Sequence, residues 1–212
     1  MSFLPRQQIK ALVEEGKLFP FRKEFDEANL GPVAYDLRLG EDVFISSEVL
    51  PKKLGETDGT VSISPGEFAL LTTYEHVDIP LDLMGFIGVR FRYKLYGLIN
   101  VSGFHVDPGF SGRLIFSVYN AGPNDIILRF KEPIFMIFFE KLSEPVDEGY
   151  KGAFKKQATL PIETLIGLRG ASVSLTRIAH RIDSLESSVK IYGAILLGLF
   201  VALFGLLLSR VL

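Results

Sequence analysis

Val106-Asp107-Pro108-Gly109-Phe110-Ser111-Gly112 crowds one proline and two glycines into seven residues. Proline fixes φ and glycine takes backbone angles that other residues avoid, so the stretch reads as a tight, constrained turn. Apolar runs flank it, Ile99 to Val106 before and Leu114 to Tyr119 after. Each is short and rich in β-branched or aromatic residues, and each is predicted as a strand.

Working outward, the same grammar repeats. Downstream, Asn120-Ala121-Gly122-Pro123-Asn124 is another turn, followed by strands at Ile126 to Phe130 and Ile134 to Glu140. Upstream, Val61-Ser62-Ile63-Ser64 alternates with period two and stops at Pro65-Gly66. Phe68 to Thr73 reads as a buried strand, and Asp78-Ile79-Pro80 closes the next one. Phe86 to Leu95 is predicted as a long strand, with Arg90, Arg92 and Lys94 projecting from one face and Phe91, Tyr93 and Leu95 from the other. Such a basic row is either a solvated face or a contact for a phosphate-bearing ligand or acidic partner. Earlier still, Gly31-Pro32 turns the chain into Val33 to Gly40, Val43-Phe44-Ile45 reads as a strand, and Lys52 to Gly59 reads as a hairpin loop. Pro5 opens a short helix whose apolar stripe is Ile9, Leu12 and Val13, and Gly16 stops it. Lys141 to Pro161 is polar and reads as a mobile arm. Short strands at this spacing predict an all-β domain, a sandwich or jelly-roll barrel.

The tail has a different character. Leu168, Ala171, Leu175, Ile178, Ile182, Leu185 and Val189 alternate in steps of three and four, a heptad seam that predicts a coiled coil of identical helices. Ile191 to Ser209 then carries no charge and is bounded by Lys190 and Arg210. At 1.5 Å per residue it reaches about 28 Å, close to the hydrocarbon thickness of a bilayer. Ala194, Gly198 and Ala202 form a small-residue ladder that lets helices approach in lipid. Arg177, Arg181 and Lys190 precede the uncharged run and only Arg210 follows it, which predicts a single-pass protein with its N-terminal domain in the cytoplasm. The expected boundaries are a β domain over 1–158, a linker over 159–167, a coiled coil over 168–190 and a membrane helix over 191–212.

Composition narrows the function classes. The chain has no cysteine, so disulfides and thiolate metal sites are excluded. A net charge of −2 gives no bulk attraction to nucleic acid, and no nucleic-acid partner is expected. His76, His105 and His180 lack ligand spacing, so no metal site is expected. No nucleophile triad or P-loop is present.

Taken in order, these motifs resemble the dCTP deaminase and dUTPase family over most of residues 1–157. Ala34-Tyr35-Asp36-Leu37-Arg38-Leu39-Gly40 looks like its first motif. Pro65-Gly66-Glu67-Phe68, with Thr73, Glu75, Val77 and Pro80, is similar to its central hairpin. Val106 to Gly112 looks like its I-D-P-G-[FW]-x-G turn, and Tyr119-Asn120 also fits. Leu4 to Leu18 resembles the deaminase N-terminal helix. The resemblance implies a homotrimer of distorted β-barrels with active sites between subunits, a pyrimidine deoxynucleotide ligand, and no tightly bound cofactor beyond Mg²⁺ arriving with a triphosphate.

The chemistry departs from that pattern. The family's second motif reads G-R-S-S-L-A-R, and here Val89 to Leu95 keeps Arg90 but places Phe91 and Arg92 at the serines and Leu95 at the last arginine. The glutamate that takes a proton from water in the family is matched by Ser117. In the arm, Tyr150, Phe154 and Gln157 fit the deaminase pattern, while Ala153 stands at its phosphate-binding lysine, a role open to Lys151 or Lys155. The implied nucleotide and phosphate contacts are therefore Arg90, Arg92, Lys94, Ser111, Tyr119, Tyr150, Lys151, Lys155 and Gln157. Asp107 is the surviving candidate for a catalytic carboxylate; the other role for it is to hold its own turn. Three readings follow: a membrane-anchored, catalytically degenerate binder of a nucleotide or protein at the subunit clefts, an active dCTP deaminase or dUTP pyrophosphatase with rearranged groups, and a purely structural membrane trimer.

Overall fold

The computed structural model describes residues 2–161 and 175–211. The chain divides into two compact units, Met1–Ser172 and Val173–Leu212.

In the first unit a short strand β1 (Ser2–Phe3) precedes helix α1 (Arg6–Glu14). Pro5 caps α1 with extended backbone, and Ile9 and Val13 turn its apolar stripe into the core. Ten strands follow: β2 (Ala34–Ile45), β3 (Lys52–Lys53), β4 (Thr60–Ile63), β5 (Phe68–Asp78), β6 (Leu83–Val89), β7 (Leu98–Asn100), β8 (His105–Val106), β9 (Ser111–Asn120), β10 (Ile126–Arg129) and β11 (Pro133–Lys141). Among the described residues the unit is all-β apart from α1, a five-residue helix α2 (Phe91–Leu95) and two 3-10 turns, Arg22–Glu24 and Glu27–Asn29.

The main sheet runs β7-β9-β5-β2-β11-β6-β8, with β1 on β11 and β3 on β2. Its two edges are β7 and β8, yet only Val101 to Phe104 separates them in the chain. Seven strands laid flat would hold those edges about 29 Å apart, and the connection reaches roughly 18 Å at full stretch. The sheet must therefore curl into a distorted barrel. Its interior holds Tyr35, Leu37, Leu39, Leu71, Phe116, Phe135, Ile137 and Phe139, all buried, and Phe116 stacks on Phe135 at 3.8 Å. The strict inward–outward alternation of β9 puts Leu114, Phe116 and Val118 inside and turns Arg113, Ile115 and Ser117 outward.

Several expectations need correction; among them, Phe68 to Thr73 and the strand that Asp78-Ile79-Pro80 closes form one strand, β5. The strand expected over Phe86 to Leu95 ends at Val89. Its partner β11 begins at Pro133, and Arg90 makes the last main-chain bond, to Ile134 O at 2.8 Å. Phe91 onward has no ladder to join, so those residues coil into α2, where Tyr93 and Lys94 N–H both reach back to Arg90 O. The basic row on one strand face therefore does not exist. The strand expected over Ile99 to Val106 is two strands on opposite sheet edges. Asn100 breaks it, its side-chain oxygen accepting from Ser102 N–H at 3.2 Å in a local turn. Finally, the segment after Lys141 is docked rather than mobile. Tyr150 N–H donates to Pro108 O, Lys156 N–H to Ser111 O and Arg113 N–H to Gln157 O, at 2.7, 2.6 and 2.8 Å.

The second unit is described as one helix, α3 (Leu175–Val211). Its window Arg181–Ala202 has mean hydropathy 1.5 and is long and apolar enough to cross a membrane. Ile182, Leu185 and Val189 of the seam are exposed in the single chain. The seam positions Leu168 and Ala171, and most of the 159–167 linker, lie outside the described residues.

Candidate functional site

The arm crosses the Val106–Gly112 turn at backbone contact distance. Gly109 has φ +76, and a Cβ there would sit 2.6 Å from Gly149 Cα. Gly112 has φ +145, and its Cβ would sit 2.8 Å from both Gln157 N and Gln157 O. The glycines are needed twice over, for left-handed backbone and for room for the arm. Phe110 packs on Tyr150 with ring centroids 5.6 Å apart, which pins the arm to the turn by its side chains as well.

This docking encloses a cleft of about 310 Å³. Its floor is the outer face of β9, with Arg113, Ile115 and Ser117. One wall is the β7–β8 connection and β8, bringing Ser102 and His105. The turn contributes Asp107 and Phe110, and the arm contributes Tyr150, Phe154 and Gln157. The volume is at the small end of ligand pockets, and the mixture of apolar walls and few polar groups is typical of them.

Asp107 does not use its carboxylate to hold the turn. The turn bond comes from its main-chain oxygen, which accepts from Phe110 N–H at 3.2 Å. The carboxylate is about half exposed, with Oδ1 3.4 Å from His105 Nε2. Arg113 is the guanidinium at the cleft, and its charge is already met: Nη2 lies 3.6 Å from Glu24 Oε1 and Nη1 donates to Thr73 O at 3.4 Å. Glu24 also accepts from His76 N–H at 2.8 Å, so the first 3-10 turn braces Arg113 from behind. Gln157 Nε2 is buried and has no hydrogen-bond partner among the described residues. A buried orphan donor at a cleft wall costs about 1–3 kcal/mol unless a ligand or water satisfies it.

Of the residues expected from sequence, Asp107, Tyr150 and Gln157 meet at this cleft together with Ser117. Ser111 backs the arm through its carbonyl, and Tyr119 sits opposite Phe68 and Ile99 in the sheet. Lys151 pairs with Glu148. Lys155 lies near Asp78, whose carboxyl is pushed up by burial and drawn part way back by that lysine. Arg90 turns away to Asp36, with Nε 3.2 Å from Oδ2. Arg92 lines a separate hollow of about 370 Å³ with Tyr93, Leu95, Tyr96 and Asn124. Lys94 is exposed on α2. His105, Arg113 and Ser102 were not expected. Arg113 could have been found from the outward phase of β9, but His105 was hidden by reading Ile99 to Val106 as one strand.

A family model described as dCTP deaminase-like matches residues 3–142. The chain is similar to the dCTP deaminase of Pyrococcus abyssi, 35% identical over 133 residues that cover 63% of this chain and 84% of that one. It is similar to the dUMP-forming dCTP deaminase of Methanothermobacter thermautotrophicus, 29% identical over 71% of this chain and 84% of that one. Among solved structures it is similar in fold to 2'-deoxycytidine 5'-triphosphate deaminase from Agrobacterium tumefaciens, with TM-score 0.56 and 15% identity, over 66% of this chain but only 48% of the other, about half its length. Helix α3 lies outside the matched residues 3–142.

Proposed function

The chain belongs to the dCTP deaminase-like family, and from that premise we propose that it binds a pyrimidine deoxynucleotide in the Asp107 cleft and is held at a membrane by α3. The observation that carries the reading is Gln157 Nε2, a buried donor left unmatched beside Asp107 and Tyr150. A pyrimidine carbonyl is an acceptor of the kind it lacks. The family's glutamate route to deamination is closed, because Ser117 stands at that position and a hydroxyl does not take a proton from water unaided. The cleft is thus degenerate at the family's own catalytic position.

A triphosphate needs cations, and the one guanidinium lining the cleft among the described residues, Arg113, is paired with Glu24. Arg92 and Lys94 on α2 are exposed and fit that need when another copy supplies them. The apolar residues around them support self-association, proposed here as a trimer: Phe91, Leu95, Val101 and Phe104 are all more than half exposed in the single chain. The exposed seam of α3 points the same way. Mg²⁺ would enter with the triphosphate. The basic residues Arg177, Arg181 and Lys190 favour a cytoplasmic β domain.

The test is a melting series on the full chain in detergent, with dCTP, dUTP and their ribose counterparts plus Mg²⁺, alongside assays for ammonia and pyrophosphate. A pyrimidine deoxynucleotide at a hundredfold over Kd should stabilise by about 2.7 kcal/mol. No shift with any nucleotide would remove the binding reading and leave a structural membrane trimer.

A further inference from the structure

Losing the glutamate does not leave the cleft without a base. We infer that His105, oriented by Asp107, is the water-activating group, acting on a 4-aminopyrimidine nucleotide. The inference rests on the nucleotide reading above.

Three observations meet at this residue. His105 lies on β8 at the cleft wall, and its ring is held edge-on by Phe104 at 4.9 Å between centroids. Its Nε2 is 3.4 Å from Asp107 Oδ1, close to hydrogen-bond reach, and such contacts tighten when a substrate closes the site. Asp107 has no turn to hold with its carboxylate, as its main-chain oxygen does that. A carboxylate facing Nε2 fixes the proton on that nitrogen and leaves the Nδ1 lone pair available. Among the described residues the polar contact of the ring is Nε2 with Asp107, which leaves Nδ1 without a protein partner. The ionisable groups that face the ring across the cleft are Asp107 from the turn, Arg113 from β9 and Tyr150 from the arm, and Arg113 is neutralised by Glu24.

The reaction balances without an external reagent. A water oxygen bonds to C4 of the ring as Nδ1 takes its first proton. The C4–N3 π electrons move to N3, which receives that proton from Nδ1–H. The hydroxyl on C4 then gives its proton, through the same nitrogen, to the amino group. The C4–N bond breaks, ammonia leaves and the C4 carbonyl forms. Ser117, in the same cleft, is placed to position the water rather than to deprotonate it.

The experiment uses the full chain in detergent with dCTP and Mg²⁺, reading ammonia release and melting temperature together. Wild type should release ammonia. His105→Gln should lose roughly 10²–10⁴-fold in kcat while keeping the dCTP-induced melting shift. Asp107→Asn should also lower kcat, by presenting the wrong face of the ring. Wild-type turnover in His105→Gln overturns the assignment, as does loss in Asp107→Asn alone, which would make Asp107 the base. A melting shift in wild type without ammonia overturns it and spares the nucleotide reading. No melting shift overturns both.

Discussion

Arg38 Nε lies 2.7 Å from Oε1 of Glu75, a carboxylate with no solvent exposure, and the Arg38 main-chain N–H reaches the other oxygen at 2.9 Å. Tyr35 OH donates to the same group at 3.3 Å. The pair ties β2 to β5 where both strands slip register. Burial pushes the Glu75 carboxyl up, and Arg38 draws it part way back. Removing one partner strands the other. Arg38→Met should therefore cost about 3–5 kcal/mol, and Arg38→Met with Glu75→Leu should recover much of that. Denaturant unfolding of the two variants decides it; equal losses in both would show that the charge pairing is not what matters.

Gly112→Ala should loosen the arm without unfolding the barrel. Its Cβ would collide with backbone at Gln157, so the Gly112–Gln157 bridge must open. Trypsin should then cut at Lys151, Lys155 or Lys156 several-fold faster than in wild type, and dCTP binding should weaken in parallel. Unchanged proteolysis would mean the arm is held elsewhere.

Stability at mildly acid pH should carry the mark of Asp36. Burial raises its carboxyl above the ordinary range, and Arg90 offsets only part of this. The folded chain then holds that proton more tightly than the unfolded one. The contribution is full below about pH 4 and is lost as pH rises through the folded value. Asp36→Asn should flatten that part of the stability curve. Melting temperatures taken from about pH 4 to about pH 7 test the sign, and a steeper slope in the variant would reverse it.

Leu196→Arg should move the chain out of the membrane fraction. A single arginine at a helix centre costs about 2.5–3.5 kcal/mol of insertion. If the variant sediments with membranes as wild type does, α3 is not what holds it there.

Ser117→Glu should raise the rate of ammonia release from dCTP, because it returns a carboxylate to the face of β9 that lines the cleft. No gain, with the dCTP melting shift intact, would mean that the β9 floor does not face the reacting carbon.

What the chain disclosed about itself follows a physical division. Strand phase and turn chemistry are local, and they placed β9, β10, β11 and the tight turn. The α2 segment misled because Arg90, Arg92 and Lys94 alternate as a strand would, and what ends β6 is that β11 begins no earlier than Pro133, a fact about residues far along the chain. Val43 to Ile45 proved continuous with Ala34 to Gly40 because one long strand, β2, serves two partners, β11 and β5. In the site, Asp107, Tyr150 and Gln157 were legible through the family resemblance. Arg113 and His105 were missed, Arg113 because the outward phase of β9 was not followed and His105 because Ile99 to Val106 was read as one strand.

The placing of β11 between β2 and β6 also sets a timetable. Tyr35 pairs with Ile137, about a hundred residues later. At ribosomal speeds of about 5–20 residues per second, one edge of β2 stays open for roughly 5–20 s after it leaves the ribosome. On the other side of β11, β6 waits for the same strand. A nascent chain in that interval displays long, apolar, unpaired edges, which is the profile of a chaperone client. Ribosome pausing or crowding before Lys141 has emerged should therefore decide the yield of folded protein more than any change made after it.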